Sequence, residues 1–144
     1  AELQLLTSKP IIYFFNGDEE DVPQDLIKKI KEMHSDYVVL NVSGEPDYSS
    51  LIKKTYEVLN LVSFFTTGEK ESRAWTIPHG SKAPQAAGVI HSDFEKKFIR
   101  AEVVSCKDLL IVNGYAGARA RGLIRVEGKE YVVKDGDVLM IRHG

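Results

Sequence analysis

Two short polar runs carry the side chains best suited to chemistry, Asn16-Gly17-Asp18-Glu19 and Asn41-Val42-Ser43-Gly44. Each closes an apolar run, and open α/β sheets collect ligands at the carboxyl ends of their strands. The same residue types also build turns for backbone reasons alone, and composition by itself favours that plainer reading. The four histidines, His34, His79, His91 and His143, show no i, i+4 pairing and have no cysteine nearby, so no metal site is expected. For His91 a helix-packing or capping role is the better reading. Cys106, the single cysteine, excludes an internal disulfide or a Cys-rich zinc site, and reads as a passive, half-buried thiol despite its neighbour Lys107. Two basic groups could meet phosphates: Arg119, Arg121 and Arg125 with Lys129, or Lys70, Arg73 and Lys82. A solvated surface balanced by Glu69, Glu71, Glu127 and Glu130 is the equal alternative.

The elements that must position these residues fall into two sets. Ile11–Phe15 is an unalternating apolar run, which suits a strand buried on both faces of a parallel sheet. A helix should follow, with Asp21 as a possible cap, Pro23 in its first turn, and Leu26, Ile27, Ile30 and Met33 at helical spacing. Tyr37–Val42 reads as a second buried strand. The second helix carries Leu51, Ile52, Thr55, Tyr56, Leu59 and Val62 on one side. Strand, helix, strand, helix implies a parallel pair, and two strands are too few for such a sheet. Further strands are therefore expected upstream.

The second set opens with a strand at Arg73–Ile77 and a turn at Pro78-His79-Gly80. A helix begins near Pro84 and buries Ala86, Ala87, Val89, Ile90 and Phe94. Ile99–Val103 alternates as a half-buried strand should. A short helix near 107–111 and a Gly-rich stretch lead to turns at Glu127-Gly128 and Asp135-Gly136, and the chain closes on the apolar run Val138–Ile141. This order predicts a compact α+β domain.

Charge divides along the same line. Residues 1–65 carry 6 Lys/Arg against 11 Asp/Glu, net −5, and residues 66–144 carry 13 against 10, net +3. The contrast suggests units with different partners, although +3 is weak evidence for nucleic acid. No segment approaches the ~20 apolar residues that span a bilayer, and no secretory signal pattern opens the chain. A cytoplasmic protein without a membrane partner is expected.

From Leu59 onward the sequence resembles one family closely. Leu59–Ile77, Gly80–Lys96 and Glu127–Asp137 are similar to three blocks of the YchF (Obg-like) family: its junction into the TGS domain, its most distinctive stretch and its closing hairpin. The resemblance implies α/β followed by α+β: residues 1–65 as the terminal βαβα part of a P-loop NTPase G domain, and residues 66–144 as a β-grasp, ubiquitin-like TGS domain. The family carries Asn-x-x-Glu where most GTPases carry Asn-Lys-x-Asp, and Asn16-Gly17-Asp18-Glu19 matches that form. Asn16 would contact the base through its amide, Gly17 would lie close to the base and Glu19 would sit at the rim. Guanine offers N1–H and an amine to one carboxylate, whereas adenine has an unprotonated N1, so a displaced carboxylate loses the preference for guanine. The implied ligands are ATP or GTP, with Mg in the full-length protein, and the implied partner is the ribosome or RNA. The family usually has a longer acidic stretch where this chain has only Gly44–Tyr48. No Gly-x-x-x-x-Gly-Lys-Ser/Thr occurs, so the nucleotide site is incomplete, no catalytic residue is expected, and the chain alone should not turn ATP over. The rival expectation is a β-grasp interaction module for a protein or small ligand, with no nucleotide role.

Overall fold

The structure is a computed structural model that describes residues 5–6, 9–43, 47–68 and 71–144. It divides into two compact units, Ala1–Asn60 and Leu61–Gly144. The break expected after residue 65 would cut through a strand of the second unit. The reason lies at Asn60, which takes the left-handed conformation (φ 52°) after the helix Ser49–Val58 and ends it. Leu59 and Val62 therefore do not continue that helix, and Leu61 already begins a strand.

The first unit is built from β1 (Ile12–Phe15), a 3-10 turn (Glu19–Asp21), α1 (Gln24–Glu32), β2 (Asp36–Val39) and α2 (Ser49–Val58). β1 and β2 pair in parallel from Ile12↔Asp36 to Phe15↔Val39. Pro23 stands at the N-cap of α1, one residue before the helix, while Asp21 belongs to the 3-10 turn and caps nothing. Asp25 in the first turn and Lys29 and Lys31 in the last complement the helix dipole. Val22, Ile30 and Val38 are buried, but Phe14 and Ile11 are each 46% exposed. The strand expected to be buried on both faces is thus covered only in part: among the described residues β1 pairs with β2 alone, and a two-stranded sheet offers little surface for covering elements to pack on.

The second unit is a five-stranded sheet of order β4-β3-β7-β5-β6. Its strands are β3 (Leu61–Thr67), β4 (Ser72–Pro78), β5 (Phe98–Ser105), β6 (Arg125–Glu127) and β7 (Asp137–His143). All pairs are antiparallel except β3 with β7, which meet in parallel at Phe65↔Val138. Helix α3 (Ala83–Ile90) lays Ala83, Ala86 and Ala87 on one face against Val62, Phe64, Ile77, Ala101, Val103 and Leu139. These small residues let the helix approach closely. Val89, expected inside, is 47% exposed. The helix also ends earlier than expected: His91 is extended, and α4 (Ser92–Lys96) starts afresh behind it. Helices α5 (Cys106–Ile111) and α6 (Tyr115–Ala120) cover part of the other face over Phe65, Val104 and Val138. Among the described residues no helix is long and apolar enough to cross a membrane.

Candidate functional site

The two polar runs at the strand ends meet. Because β1 and β2 run parallel in register, Phe15 and Val39 finish together, and Leu40 N–H donates to the Phe15 carbonyl at 2.9 Å. Beyond them the Val42 N–H donates to Asn16 Oδ1 at 3.1 Å, and Asn41 Nδ2 donates to Asp18 Oδ1 at 3.4 Å. The Ser43 N–H in turn donates to Asn41 Oδ1 at 3.0 Å. Residues 25 positions apart in sequence, Asn16 and Asn41, thus belong to one rim. Gly44 lies outside the described residues.

This geometry leaves specific groups available. The bond from Val42 fixes the Asn16 amide by its oxygen, and among the described residues its Nδ2 donor has no partner. Glu19, at the start of the 3-10 turn, is exposed and makes no ion pair among the described residues. A planar ring with an acceptor edge could take the Asn16 donor, and an amino group could take the Glu19 carboxylate. Gly17, Asp18, Glu19 and Asn41 border a depression of about 660 Å³ that continues along β2 to Lys54. Lys54 is held by Glu57 at 2.9 Å and Asp36 at 3.5 Å; the Glu57 carboxylate is the main cause of its raised pKa. Its charge is therefore already matched, and no cradle for phosphates forms here among the described residues.

The basic residues named from sequence separate. Lys70 lies outside the described residues. Arg73, on edge strand β4, stacks over Trp75 at 5.2 Å and pairs with Glu71 at 3.6 Å. Lys82 pairs with Glu130 at 2.5 Å beside the start of α3. Arg125 lies on the opposite edge strand, β6, with Glu127 at 3.6 Å, Asp137 at 3.7 Å and the Tyr131 hydroxyl at 3.1 Å. Arg119, on α6, pairs with Glu102 at 3.2 Å, and Arg121, just past α6, makes no ion pair among the described residues. Four of the six described cations, Arg73, Lys82, Arg119 and Arg125, are thus matched by carboxylates, and the six do not form one face.

The histidines form no metal cluster among the described residues. His91 caps α4, its Nδ1 accepting the Asp93 N–H at 3.2 Å, and its ring contacts Phe94, which stacks on His143. Cys106 is half-buried and borders a cavity of about 350 Å³ with Phe65, Leu109 and Val138. What sequence reading missed is Glu102, which bridges Arg119 and Arg142 with a side chain only 12% exposed. Its outward place was readable from the alternation after Ala101, but its partners follow from register alone.

The profile of the family YchF-GTPase_C, described as "Protein of unknown function (DUF933)", matches residues 61–144. The chain belongs to the YchF-GTPase_C family. Among YchF relatives, the "Ribosome-binding ATPase YchF" of Bacillus subtilis (strain 168) is 42% identical over 171 residues, covering 98% of this chain and 47% of the relative. That match runs over more positions than the 144 residues of the chain, so the YchF relative carries residues that this chain lacks within the matched span. The protein of the same name from Escherichia coli O157:H7 is 55% identical over 95 residues, 66% of this chain and 26% of the relative. The solved "Structure of the Schizosaccharomyces pombe YchF GTPase" superposes with a TM-score of 0.78 at 36% identity, over 96% of this chain and 44% of that one. A GTP-binding protein from Pyrococcus horikoshii OT3, 14% identical with a TM-score of 0.62, shares the fold alone. The chain spans about half the length of the curated YchF relatives it matches along its whole length.

Proposed function

We propose that the chain is the C-terminal part of a cytoplasmic, ribosome-associated YchF-type nucleotide hydrolase. The first unit supplies the base-side rim of the nucleotide site, and the second unit is a TGS domain that docks on the ribosome or RNA. The observation that carries the nucleotide half is the bond from the Val42 N–H to Asn16 Oδ1, which holds the amide at the strand ends and leaves its Nδ2 donor for a base. Asn16 contacts the base, Gly17 lies beside it, and Glu19 stands at the rim in place of the carboxylate that would select guanine. ATP or GTP with Mg binds only where residues beyond this chain complete a phosphate site. The sheet order β4-β3-β7-β5-β6 with α3 across one face supports the β-grasp, TGS reading of the second unit.

Calorimetric titration with ATP and GTP tests the nucleotide half, on this chain and on a version extended upstream to the length of its relatives. Saturable, ATP-preferring binding in the extended protein alone supports the assignment, and Asn16→Ala should weaken it about tenfold, the value of one hydrogen bond left unmade. An extended protein that ignores both nucleotides, or prefers GTP, removes Asn16 and Glu19 from the site. A second reading, a β-grasp module for a small ligand, is favoured by the cavity of about 350 Å³ between α5 and β3. Salt-insensitive binding to a non-nucleic-acid ligand would favour it.

A further inference from the structure

On the sheet face away from α3, apolar side chains give way to charged ones along a single line. Side chains two residues apart on a strand share a face. On the parallel strands β3 and β7, Phe65 stands opposite Val138; two residues on come Thr67 and Met140, and two further along β7 comes Arg142. Phe65 and Val138 belong to the apolar cluster under α5 and α6. With Leu109, Leu110 and Cys106 they line the cavity of about 350 Å³. Thr67, Met140 and Arg142 line a second depression of about 550 Å³, together with Tyr115 and Arg119. Thr67 borders both, and Gly114 of the first adjoins Tyr115 of the second, so the two are neighbouring parts of one trough. Four residues separate Val138 from Arg142, about 13 Å of strand.

The charged end of the trough is not balanced. Glu102 accepts from Arg142 Nε at 3.0 Å and from Arg119 Nη2 at 3.2 Å. Two guanidiniums sharing one carboxylate leave one positive charge at this end among the described residues. The Arg119 side chain is 71% exposed and gives Glu102 one N–H of its five, so the rest of its fork is open to a ligand. Arg100, opposite Arg142 on β5 beyond an irregularity in the pairing, does not line the depression. The Tyr115 hydroxyl is shut off from solvent without a hydrogen-bond partner among the described residues. Burial, and then the Glu102 charge, raise its pKa, so it remains a neutral donor, and a bound carboxylate is an acceptor for it. At the other end Leu110, a wall of the cavity, is 76% exposed. The cavity holds about twelve non-hydrogen atoms at about 30 Å³ each. An apolar cavity with one positive charge a short span away is the complement of a monoanion with an apolar tail, not of a polyanion. We infer that the trough binds a medium-chain aliphatic carboxylate, its tail in the cavity between α5 and β3 and its carboxylate on Arg119 and Arg142. This gives a ligand class to the cavity on which the second reading of the function rests, and leaves the nucleotide reading as it stands.

The chain's single cysteine makes the test specific to this place. Cys106 borders the cavity, so the rate of its alkylation by N-ethylmaleimide reads occupancy. The full chain is titrated with decanoate, decanol and acetate, each below the concentration at which it aggregates, with calorimetry for stoichiometry. Decanoate should slow alkylation about tenfold or more at saturation, with one molecule per chain and half-protection on the order of 0.1 mM. Decanol should bind about fivefold more weakly, the reverse of the order that an uncharged apolar cavity gives, and acetate should not protect. Arg119→Gln leaves Glu102 paired with Arg142, and should weaken decanoate about fivefold without changing decanol. The charge-matched control Arg121→Gln, outside the trough, should change neither, and Trp75 emission checks the fold of both variants. If decanol protects as well as decanoate, or Arg119→Gln weakens both alike, the carboxylate assignment falls and a cavity for an uncharged ligand stands. An equal loss in Arg121→Gln overturns the headgroup site as well. Protection that needs many molecules per chain is surfactant adsorption and overturns the proposal. Alkylation that slows with rising protein concentration, without ligand, makes the occupant a second copy of the chain and overturns it too. No protection by any of the three compounds would remove the small-ligand reading of the cavity itself.

Discussion

Removal of one hydroxyl from the closing loop of the second unit should cost more than its place near the surface suggests. Asp137 is 3% exposed, yet it carries a carboxylate at the first position of β7. Its Oδ2 accepts from the Tyr131 hydroxyl at 2.7 Å and from the Lys134 N–H at 2.9 Å, while Arg125 lies 3.7 Å from Oδ1. Tyr131→Phe deletes one of these donors and leaves the buried carboxylate less well satisfied. A hydrogen bond to a charged group contributes about 1.5–3 kcal/mol, so a loss of about 2 kcal/mol is expected. In a domain of 60–100 residues that corresponds to a fall in Tm of roughly 8–16 °C. Trp75, the single tryptophan, lies in this unit, stacked on Phe64 and bonded to Thr66 Oγ1. Its emission during urea unfolding therefore reports the Leu61–Gly144 unit alone. A double-mutant cycle with Asp137→Asn should give a coupling of at least about 1 kcal/mol. Independent effects, additive within about 0.3 kcal/mol, would refute the idea that the pair acts together.

The same tyrosine gives an alkaline signature. Burial, and then the Asp137 hydrogen bond, push its pKa up to about 12, above the value of about 10 for an unfolded chain. Between these values the folded state holds a proton that the unfolded state has released, so stability should fall as pH rises from 10 towards 12. Urea midpoints at pH 9 and 11 should diverge in the unsubstituted protein and converge in Tyr131→Phe; equal divergence in both would exclude Tyr131 as the source. Two glycines should respond differently to alanine. A Cβ on Gly117 would lie 2.0 Å from the Val112 carbonyl oxygen, whereas one on Gly88 meets the movable end of Glu95 at 2.4 Å. Gly117→Ala is expected to cost more than about 2 kcal/mol and Gly88→Ala under about 1, and similar urea midpoints for the two would contradict this. Phe64→Ala, at a fully buried position between β4 and β7, should cost about 3–5 kcal/mol by the same assay, with under 2 indicating a core that relaxes freely.

The element types were largely legible because their signals are local. The turn at Asn16–Gly17, the helix over Leu26–Ile30 and the alanines of α3 each follow from spacing and backbone preference. Where the reading failed, one residue usually carried the reason. Asn60 can adopt a left-handed conformation that helical periodicity does not register, so the apolar spacing runs on to Val62 while the helix ends at Val58 and the second unit begins at Leu61. His91 breaks the run from Ala86 to Phe94 without a glycine or proline to announce it. At the site, the pairing of Asn16 with Val42 requires two parallel strands of equal reach, which the apolar runs imply. The Arg100–Arg142 pair does not show in the sequence, since an irregularity in β5 shifts the register by which any pairing would be counted.

The sheet of the second unit is closed by its last strand. β7 lies between β3 and β5, and the loop before it is already tied to β3, where the Ser63 N–H donates to Asp135 at 2.8 Å and the Gly136 N–H donates to the Ser63 carbonyl at 2.9 Å. Until β7 is available, the β3–β4 hairpin and the β5–β6 pair, joined through α5 and α6, are separate pieces with open inner edges, and α3 has no complete surface to cover. The order of the sheet thus makes the strand that comes last in sequence the one that joins its two halves, and any state in which β7 is detached exposes two inner strand edges open to pairing with other chains.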